Sequence, residues 1–252
     1  AEFTLHEGGI AAFVLAYGHG RPRRLASYRT LQRFEETKRF WEQMASSMAY
    51  YGLWRDQVLR SFLLLHLLVY RPTGAVVAAP TTSLPERVGG ERNWDYRYSW
   101  LRDSSLTMEA FYRMGHVDEA ARYLRWLLYQ CKVTNGRTRM VYGVSPNSSV
   151  KEMTLDHLEG YGGSSPVRVG NGASRHLQLD VFGEVILGIF RLYQIGGGIT
   201  DDAWSLVNHF AEVVCDSWRR RDRSVWEVRG RQQHFVYSKV MCWVALDRAA
   251  RL

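Results

Sequence analysis

This sequence predicts a mainly α-helical fold built as helical hairpins with one functional face, and three observations carry that prediction. Apolar residues recur at three- and four-residue spacing through a series of long segments, as in Leu106, Ala110, Phe111 and Met114, or Trp204, Val207, Phe210, Val214 and Trp218. Residues that start and stop helices punctuate those segments. Short links such as Gly115-His116-Val117 alternate with a loop of roughly forty residues over 133–175, rich in Gly, Ser, Asn and Pro. Loops of that length in a compact domain usually carry function, so the long-loop side is where a site is expected.

Taken in order, Phe3-Thr4-Leu5-His6 and Ala12-Phe13-Val14-Leu15-Ala16-Tyr17 flank a Glu7-Gly8-Gly9 turn signal and read as a hairpin of two short strands within residues 1–20. A lone hairpin is not a stable domain. Within 21–50, residues from about 30 to 48 form a polar, charged helix suited to a linker. From 51 onward the pattern is helical, with segments near 54–70, 104–114, 118–131, 176–194, 202–220 and 238–252. Asp103 or Ser104 suits the start of the second segment and Gly115 its end. Asp118 suits the start of the third, Gly196-Gly197-Gly198 closes the fourth, and Asp201 or Asp202 suits the start of the fifth.

Composition narrows the function. At 252 residues with 46% hydrophobic side chains, the chain is long enough for a sizeable core. Its formal charge of +8 comes largely from scattered arginines, with clusters at Arg21, Arg23, Arg24 and at Arg219, Arg220, Arg221. No zinc-finger, helix-turn-helix or RNP pattern accompanies them, which argues against nucleic acid as the partner. The most apolar run, Phe62 to Tyr70, is too short and too interrupted by His66 to cross a bilayer, and the first residues show no charged-then-apolar leader, so neither membrane nor export is expected. Cys131, Cys215 and Cys242 are odd in number and lack metal-ligand or CxxC spacing. They read as reduced thiols of a cytoplasmic protein with no metal and no cofactor.

The chemistry concentrates in Arg92-Asn93-Trp94-Asp95-Tyr96-Arg97-Tyr98-Ser99-Trp100-Leu101-Arg102-Asp103. Aromatic rings offer flat faces to the C–H faces of a pyranose, while Arg and Asp donate to and accept from its hydroxyls. Aromatic residues at this density also suit a core. Asp95 and Arg97 can pair with each other beneath such a site.

Asn93 to Tyr98 followed by Trp100-Leu101-Arg102-Asp103 resembles the signature of bacterial glycoside hydrolase family 15, which holds glucoamylases, glucodextranases and some trehalases. Further matching segments lie in the same order across roughly residues 55–252: Ala78-Ala79-Pro80-Thr81-Thr82-Ser83-Leu84-Pro85-Glu86, Val169-Gly170-Asn171, Leu177-Gln178-Leu179-Asp180, Gly183-Glu184, Trp226-Glu227-Val228-Arg229-Gly230 and Phe235 through Trp243. Ser99 stands where the family usually carries Cys, a small-for-small exchange.

The resemblance implies an (α/α)6 toroid of twelve helices behind a β-sandwich. Residues 1–20 would then be a remnant of the sandwich, 21–50 the linker, and 51–252 the first half of the catalytic ring, whose exposed edge invites self-association. It implies an inverting, exo-acting α-glucosidase of glucoamylase or trehalase type that releases glucose from non-reducing ends. Glu227 matches the general acid, and the neighbouring Trp226 lowers local polarity, which favours the protonated form. The family's general base lies in the second half of the ring, and no segment here matches it. Arg102 and Asp103 match the pair that holds the terminal glucose. Trp94, Tyr98 and Trp100 are candidate stacking platforms, Trp226 is a candidate substrate-binding residue, and Gln178 and Asp180 are candidates for substrate hydrogen bonding or support, with Glu184 one turn further on. Tyr237, Lys239 and His234 can shape the pocket. Plainer roles remain open: Glu227 paired with Arg229 at the surface, Asp103 as a helix cap, Glu184 as a solvated residue. The alternative function is a non-catalytic carbohydrate-binding fragment, or a half-enzyme that needs a partner chain; a second carboxylate in reach of the sugar separates it from the enzyme.

Overall fold

The computed structural model describes residues 2–16, 20–21, 23–133, 138–145 and 148–252, the side chains of 132 and 133 excepted. It divides into two compact units, Ala1–Met48 and Ala49–Leu252.

In the first unit the expected turn forms at Glu7-Gly8, where the Gly9 N–H donates to the His6 carbonyl at 2.8 Å, and the Phe3 and Phe13 rings meet at 5.4 Å. The two expected strands do not form among the described residues; Tyr17, the end of the second, lies outside them. The physical reason is exposure: Phe3, Leu5, Ile10, Phe13 and Leu15 are all solvent-facing, and a two-stranded ribbon whose apolar side chains stay exposed is marginal in water. A 3-10 turn over Leu25–Tyr28 leads into helix α1, Thr30–Ser46, which buries none of its side chains and so is the polar helix expected there.

The second unit runs α2 (Arg55–Leu67), β1 (Val69–Tyr70), β2 (Ala75–Val76), β3 (Thr82–Pro85), β4 (Asn93–Asp95), β5 (Ser99–Trp100), α3 (Leu101–Arg113), α4 (Val117–Val133), β6 (Val141–Tyr142), β7 (Met153–Thr154), β8 (Arg168–Val169), α5 (Asp180–Gln194), α6 (Asp201–Ser217) and α7 (Val236–Arg251). The strands pair only as antiparallel ribbons, β1 with β2, β3 with β4, β5 with β6 and β7 with β8. They stitch loops together and carry no layer of their own.

The helices form the core. α5 packs most extensively against α7 and α3, while α4 packs on α3, and α6 on both α5 and α7. Leu101, Met108 and Phe111 of α3, Val181, Val185 and Ile186 of α5, and Val207 and Phe210 of α6 are all nearly inaccessible. α5 and α7 touch backbone to backbone at Gly183, where a Cβ would stand 2.2 Å from the Met241 carbonyl oxygen. With α2, which packs on α3, these helices are a partial (α/α)6 toroid. No helix among the described residues is long and apolar enough to cross a membrane.

The helix ends follow the expected stop signals more closely than the start signals. Gly115 and Gly196 adopt positive φ, and each ends its helix with paired bonds, His116 N–H to Phe111 O and Gly115 N–H to Tyr112 O in one case, Gly197 N–H to Leu192 O and Gly196 N–H to Tyr193 O in the other. At the starts, the cap of α6 is Thr200, whose hydroxyl accepts from the Ala203 N–H at 3.2 Å. Asp201, Asp202, Asp118 and Asp103 all lie within first turns, where their charge complements the helix dipole.

Candidate active site

The beginnings of α3, α5 and α7 meet at one end of the bundle, since Arg102 in the first turn of α3 reaches Asp180 at the start of α5, and Tyr237 of α7 donates to Glu184 of α5. Over this end opens a cleft of about 760 Å³, lined by Trp94, Tyr96, Trp100, Arg102, Asp103, Arg168, Asn171, His176, Trp226, Glu227 and Arg229 among others. Three segments wall it: residues 78–100 between β2 and α3, residues 168–176 before α5, and residues 225–229 between α6 and α7.

Glu227 sits on the third of these segments with its backbone in the left-handed region, φ 49°, and Ser224 nearby has φ 52°. Three donors converge on one of its oxygens: Trp100 Nε1 at 2.7 Å, Gln178 Nε2 at 3.0 Å and Arg102 Nη2 at 3.3 Å all reach Oε1. Oε2 takes no hydrogen bond from the described residues. The carboxyl is thus fixed by one oxygen and free at the other.

Arg102 is the hub. Its Nη1 donates to Gln178 Oε1 and to Asp180 Oδ2, both at 2.9 Å, and its Nη2 donates to Glu227. Burial works against its charge, and Asp180, Asp103 and Glu227 more than offset that, holding its pKa above the usual arginine value. Three of its five N–H groups are therefore committed within the protein, and two remain toward the cleft. Asp103 lines the same cleft, 4.0 Å from Arg102 Nε, and makes no cap for α3.

The expected residues come together, and several play parts other than the expected ones. Gln178 and Asp180 are fully buried and lie outside the cleft lining; Asp180 acts on the cleft through Arg102, and Gln178 through both Arg102 and Glu227. Burial raises the Asp180 pKa against the pull of Arg102, and burial likewise raises that of Glu184, which accepts from Tyr237. Tyr98 also leaves the cleft: a bend there turns the ring inward, where its hydroxyl donates to Ser149 O at 3.1 Å. Trp100 is 3% exposed and donates its N–H to Glu227, with the Tyr96 ring tilted against it, centroids 6.0 Å apart. Trp94 carries the guanidiniums of Arg229 at 3.9 Å and Arg168 at 4.6 Å against its ring. Trp226, 76% exposed, is the open aromatic face. Asp95 and Arg97 pair as read, at 2.8 and 2.9 Å, and Gly170 N–H also donates to Asp95. Lys239 donates to the carbonyls of Trp218 and Arg220 and closes the end of α6. Buried Ser99 shares a hydrogen bond with Ser104.

Arg229 pairs with Glu152, at 2.6 and 3.0 Å, and not with Glu227, so the expected surface pair of Glu227 with Arg229 does not form. Among the described residues no group of three or more His, Cys, Asp and Glu side chains is placed to hold a metal.

A model of glycosyl hydrolases family 15 matches residues 52–252. The chain belongs to glycosyl hydrolases family 15. Within that family it is similar to the trehalase of Thermoplasma volcanium, 39% identical over 94% of this chain and 38% of the relative, and to that of Thermoplasma acidophilum, 39% identical over 95% and 41%. The trehalase of Mycolicibacterium smegmatis is 44% identical over 79% of this chain and 30% of its own. The chain thus spans well under half the length of these curated relatives. No solved structure matches it.

Three residues in or behind this family 15 cleft are not evident from the sequence. Glu152 holds Arg229, as above. Asp222, fully buried, accepts from the Leu179 N–H at 3.0 Å and the Ser238 hydroxyl at 2.7 Å, tying the start of α5 to that of α7. His176 lines the cleft with its pKa lowered to about 4 by burial and by Arg223 and Arg229, so its imidazole is neutral at pH 7. Asp222 is hidden in a run of arginines, and Glu152 in a loop without pattern. Only the segment adjoining Gln178 offered a signal for His176.

Proposed function

We propose that this chain supplies the acid side of the catalytic centre of an inverting, exo-acting α-glucosidase, with trehalose or a closely related α-glucoside as substrate. The observation that carries the reading is the convergence of Trp100, Gln178 and Arg102 on Glu227 Oε1, which leaves Oε2 to present a proton to the cleft. In hydrolysis with inversion, Glu227 gives that proton to the departing glycosidic oxygen, while a second carboxylate takes a proton from water attacking C1 from the opposite face, and β-glucose is released. The two free N–H groups of Arg102, with Asp103 beside them, suit the vicinal hydroxyls of a terminal glucose. Trp226 suits a stacking role. The other cleft carboxylates, Glu86, Glu91 and Asp103, are engaged with or close to arginines at the rim, so the base is assigned to residues outside these 252. The trehalase relatives favour trehalose over longer glucans. The three cysteines form no disulfide, and burial pushes the Cys131 and Cys242 thiols up to about 11, which suits a cytoplasmic protein.

In the full-length protein, Glu227→Gln should lower kcat on trehalose by at least about 10²-fold with KM little changed, because a proton donor is lost and a shape is kept. Proton NMR of the first products should show α- and β-glucose in equal amounts, the β anomer from the attacked residue and the α anomer from the leaving one; α-glucose alone would mean retention. A variant that keeps more than about a tenth of the activity removes Glu227 from the acid role.

A further inference from the structure

We propose that Glu152 is a positioning residue for the acid Glu227 and acts through Arg229; the inference rests on the acid assignment above. Glu152 lies outside the cleft lining, on the long loop just before β7. Its carboxylate takes both ends of the Arg229 guanidinium, at 2.6 and 3.0 Å, together with the Gly172 N–H at 2.9 Å, and Arg168 Nε stands at 3.7 Å. A surface ion pair of one lysine and one glutamate contributes little. A bidentate fork with a backbone donor on the same carboxylate has directional content that such a pair lacks.

What this fork holds is the acid loop. Arg229 follows Glu227 by two residues, and the loop between them leaves a backbone in the left-handed region at Glu227 and Ser224, φ 49° and 52°. For a non-glycine residue such a conformation is strained and persists only where the surroundings over-determine it. One restraint is local: Arg223 Nη1 donates to the carbonyls of Val228 and Gly230, at 2.5 and 2.9 Å. The other comes from 77 residues away in sequence and is Glu152, with the Trp94 ring 3.9 Å from the same guanidinium to complete the seat. Without the fork, Arg229 leaves that seat, φ at Glu227 relaxes, and Oε2 moves off the line to the glycosidic oxygen.

The test compares two substrates of the full-length enzyme. Trehalose needs its leaving glucose protonated; α-glucosyl fluoride expels fluoride without an acid. Glu227→Gln should fall by at least about 10²-fold on trehalose and far less on the fluoride. Glu152→Gln should show the same imbalance, roughly ten- to a hundredfold in kcat on trehalose against about twofold on the fluoride, since small misplacements of a reacting group cost that much. Arg229→Lys, which keeps the charge and loses the fork, should show it too and carries the comparison if Glu152→Gln does not fold. The double variant should be no worse than the worse single one. An equal fall on both substrates makes Glu152 merely structural and overturns the proposal, as does an unchanged rate on trehalose. If Glu227→Gln itself shows no imbalance, the acid assignment fails and this inference with it.

Discussion

Replacing Arg102 by lysine keeps the charge and removes the fork, which makes Arg102→Lys a sharp probe of the hub. Arg102 is 7% exposed, and its guanidinium spans Gln178 and Asp180 at 2.9 Å and Glu227 at 3.3 Å. An ammonium on a flexible stem can stay with Asp180, yet it cannot hold a planar array across all three acceptors. One or two charge-assisted bonds are lost, each contributing about 1.5–3 kcal/mol when buried, so a loss of roughly 2–4 kcal/mol in transition-state stabilisation is expected. That corresponds to about a 30- to 1000-fold fall in kcat/KM. The loss should be shared between kcat, because Oε1 of the acid loses a donor, and KM, because the two N–H groups facing the cleft are gone. Steady-state kinetics of the full-length protein on trehalose measure it, with thermal unfolding run in parallel to separate a folding defect. A kcat/KM within about threefold of the parent would refute the hub reading.

Gly183→Ala puts a Cβ 2.2 Å from the Met241 carbonyl and forces α5 from α7; overpacking of about 1–3 kcal/mol should lower the Tm by roughly 2–10 °C, read by circular dichroism. His66 is held neutral among Phe62, Phe111 and His116, its pKa lowered to about 4 by burial and then by His116. An unfolded imidazole binds its proton near pH 6.5, so the stabilising contribution is complete above that pH and is lost as pH falls toward 4; a Tm-against-pH curve should be shallower over that window in His66→Gln. On α7, Val236, Val240 and Trp243 are 82%, 48% and 60% exposed on one face, so these 252 residues expressed alone should self-associate. Val240→Glu with Trp243→Glu should then shift the light-scattering mass to the monomer, and a parent that is already monomeric contradicts this.

The helices were legible because each is decided locally. The alternation of apolar residues in α3, α5 and α6 is strong enough to place them within a few residues, and Gly115 and Gly196 stop their helices by a backbone requirement that the sequence states outright. The ribbons were not legible: pairs such as Ser99 with Tyr142 and Met153 with Val169 are two residues long and set by tertiary contact. The same distinction runs through the site. Trp94, Trp100, Arg102, Trp226 and Glu227 stand out by residue type and by resemblance. Which way each faces did not: Tyr98 shares its parity with Trp94, Tyr96 and Trp100, and a single bend turns it inward. Glu152 and Asp222 matter only through partners that folding brings to them.

Under the role proposed for Glu227, three donors on one oxygen pose a chemical problem, since a carboxyl locked into an ion pair is a poor proton donor. The distances show how the site reconciles the two demands. The shortest bonds to Oε1 come from neutral groups, the Trp100 indole at 2.7 Å and the Gln178 amide at 3.0 Å, whereas the cationic Arg102 is the most distant at 3.3 Å. Its guanidinium is meanwhile paired with Asp180 at 2.9 Å, which lies outside the cleft lining. Asp180 thus holds the guanidinium back from Glu227, and position is fixed mainly by neutral donors. Asp180→Asn should therefore damage catalysis without touching substrate: Arg102, no longer held by a carboxylate, moves in on Glu227 and draws Oε1 away from the indole and the amide. The signature is a fall in kcat, while KM stays near the parent value. A variant that raises KM and leaves kcat in place would mean that Asp180 supports substrate binding and that the neutral-donor argument is wrong.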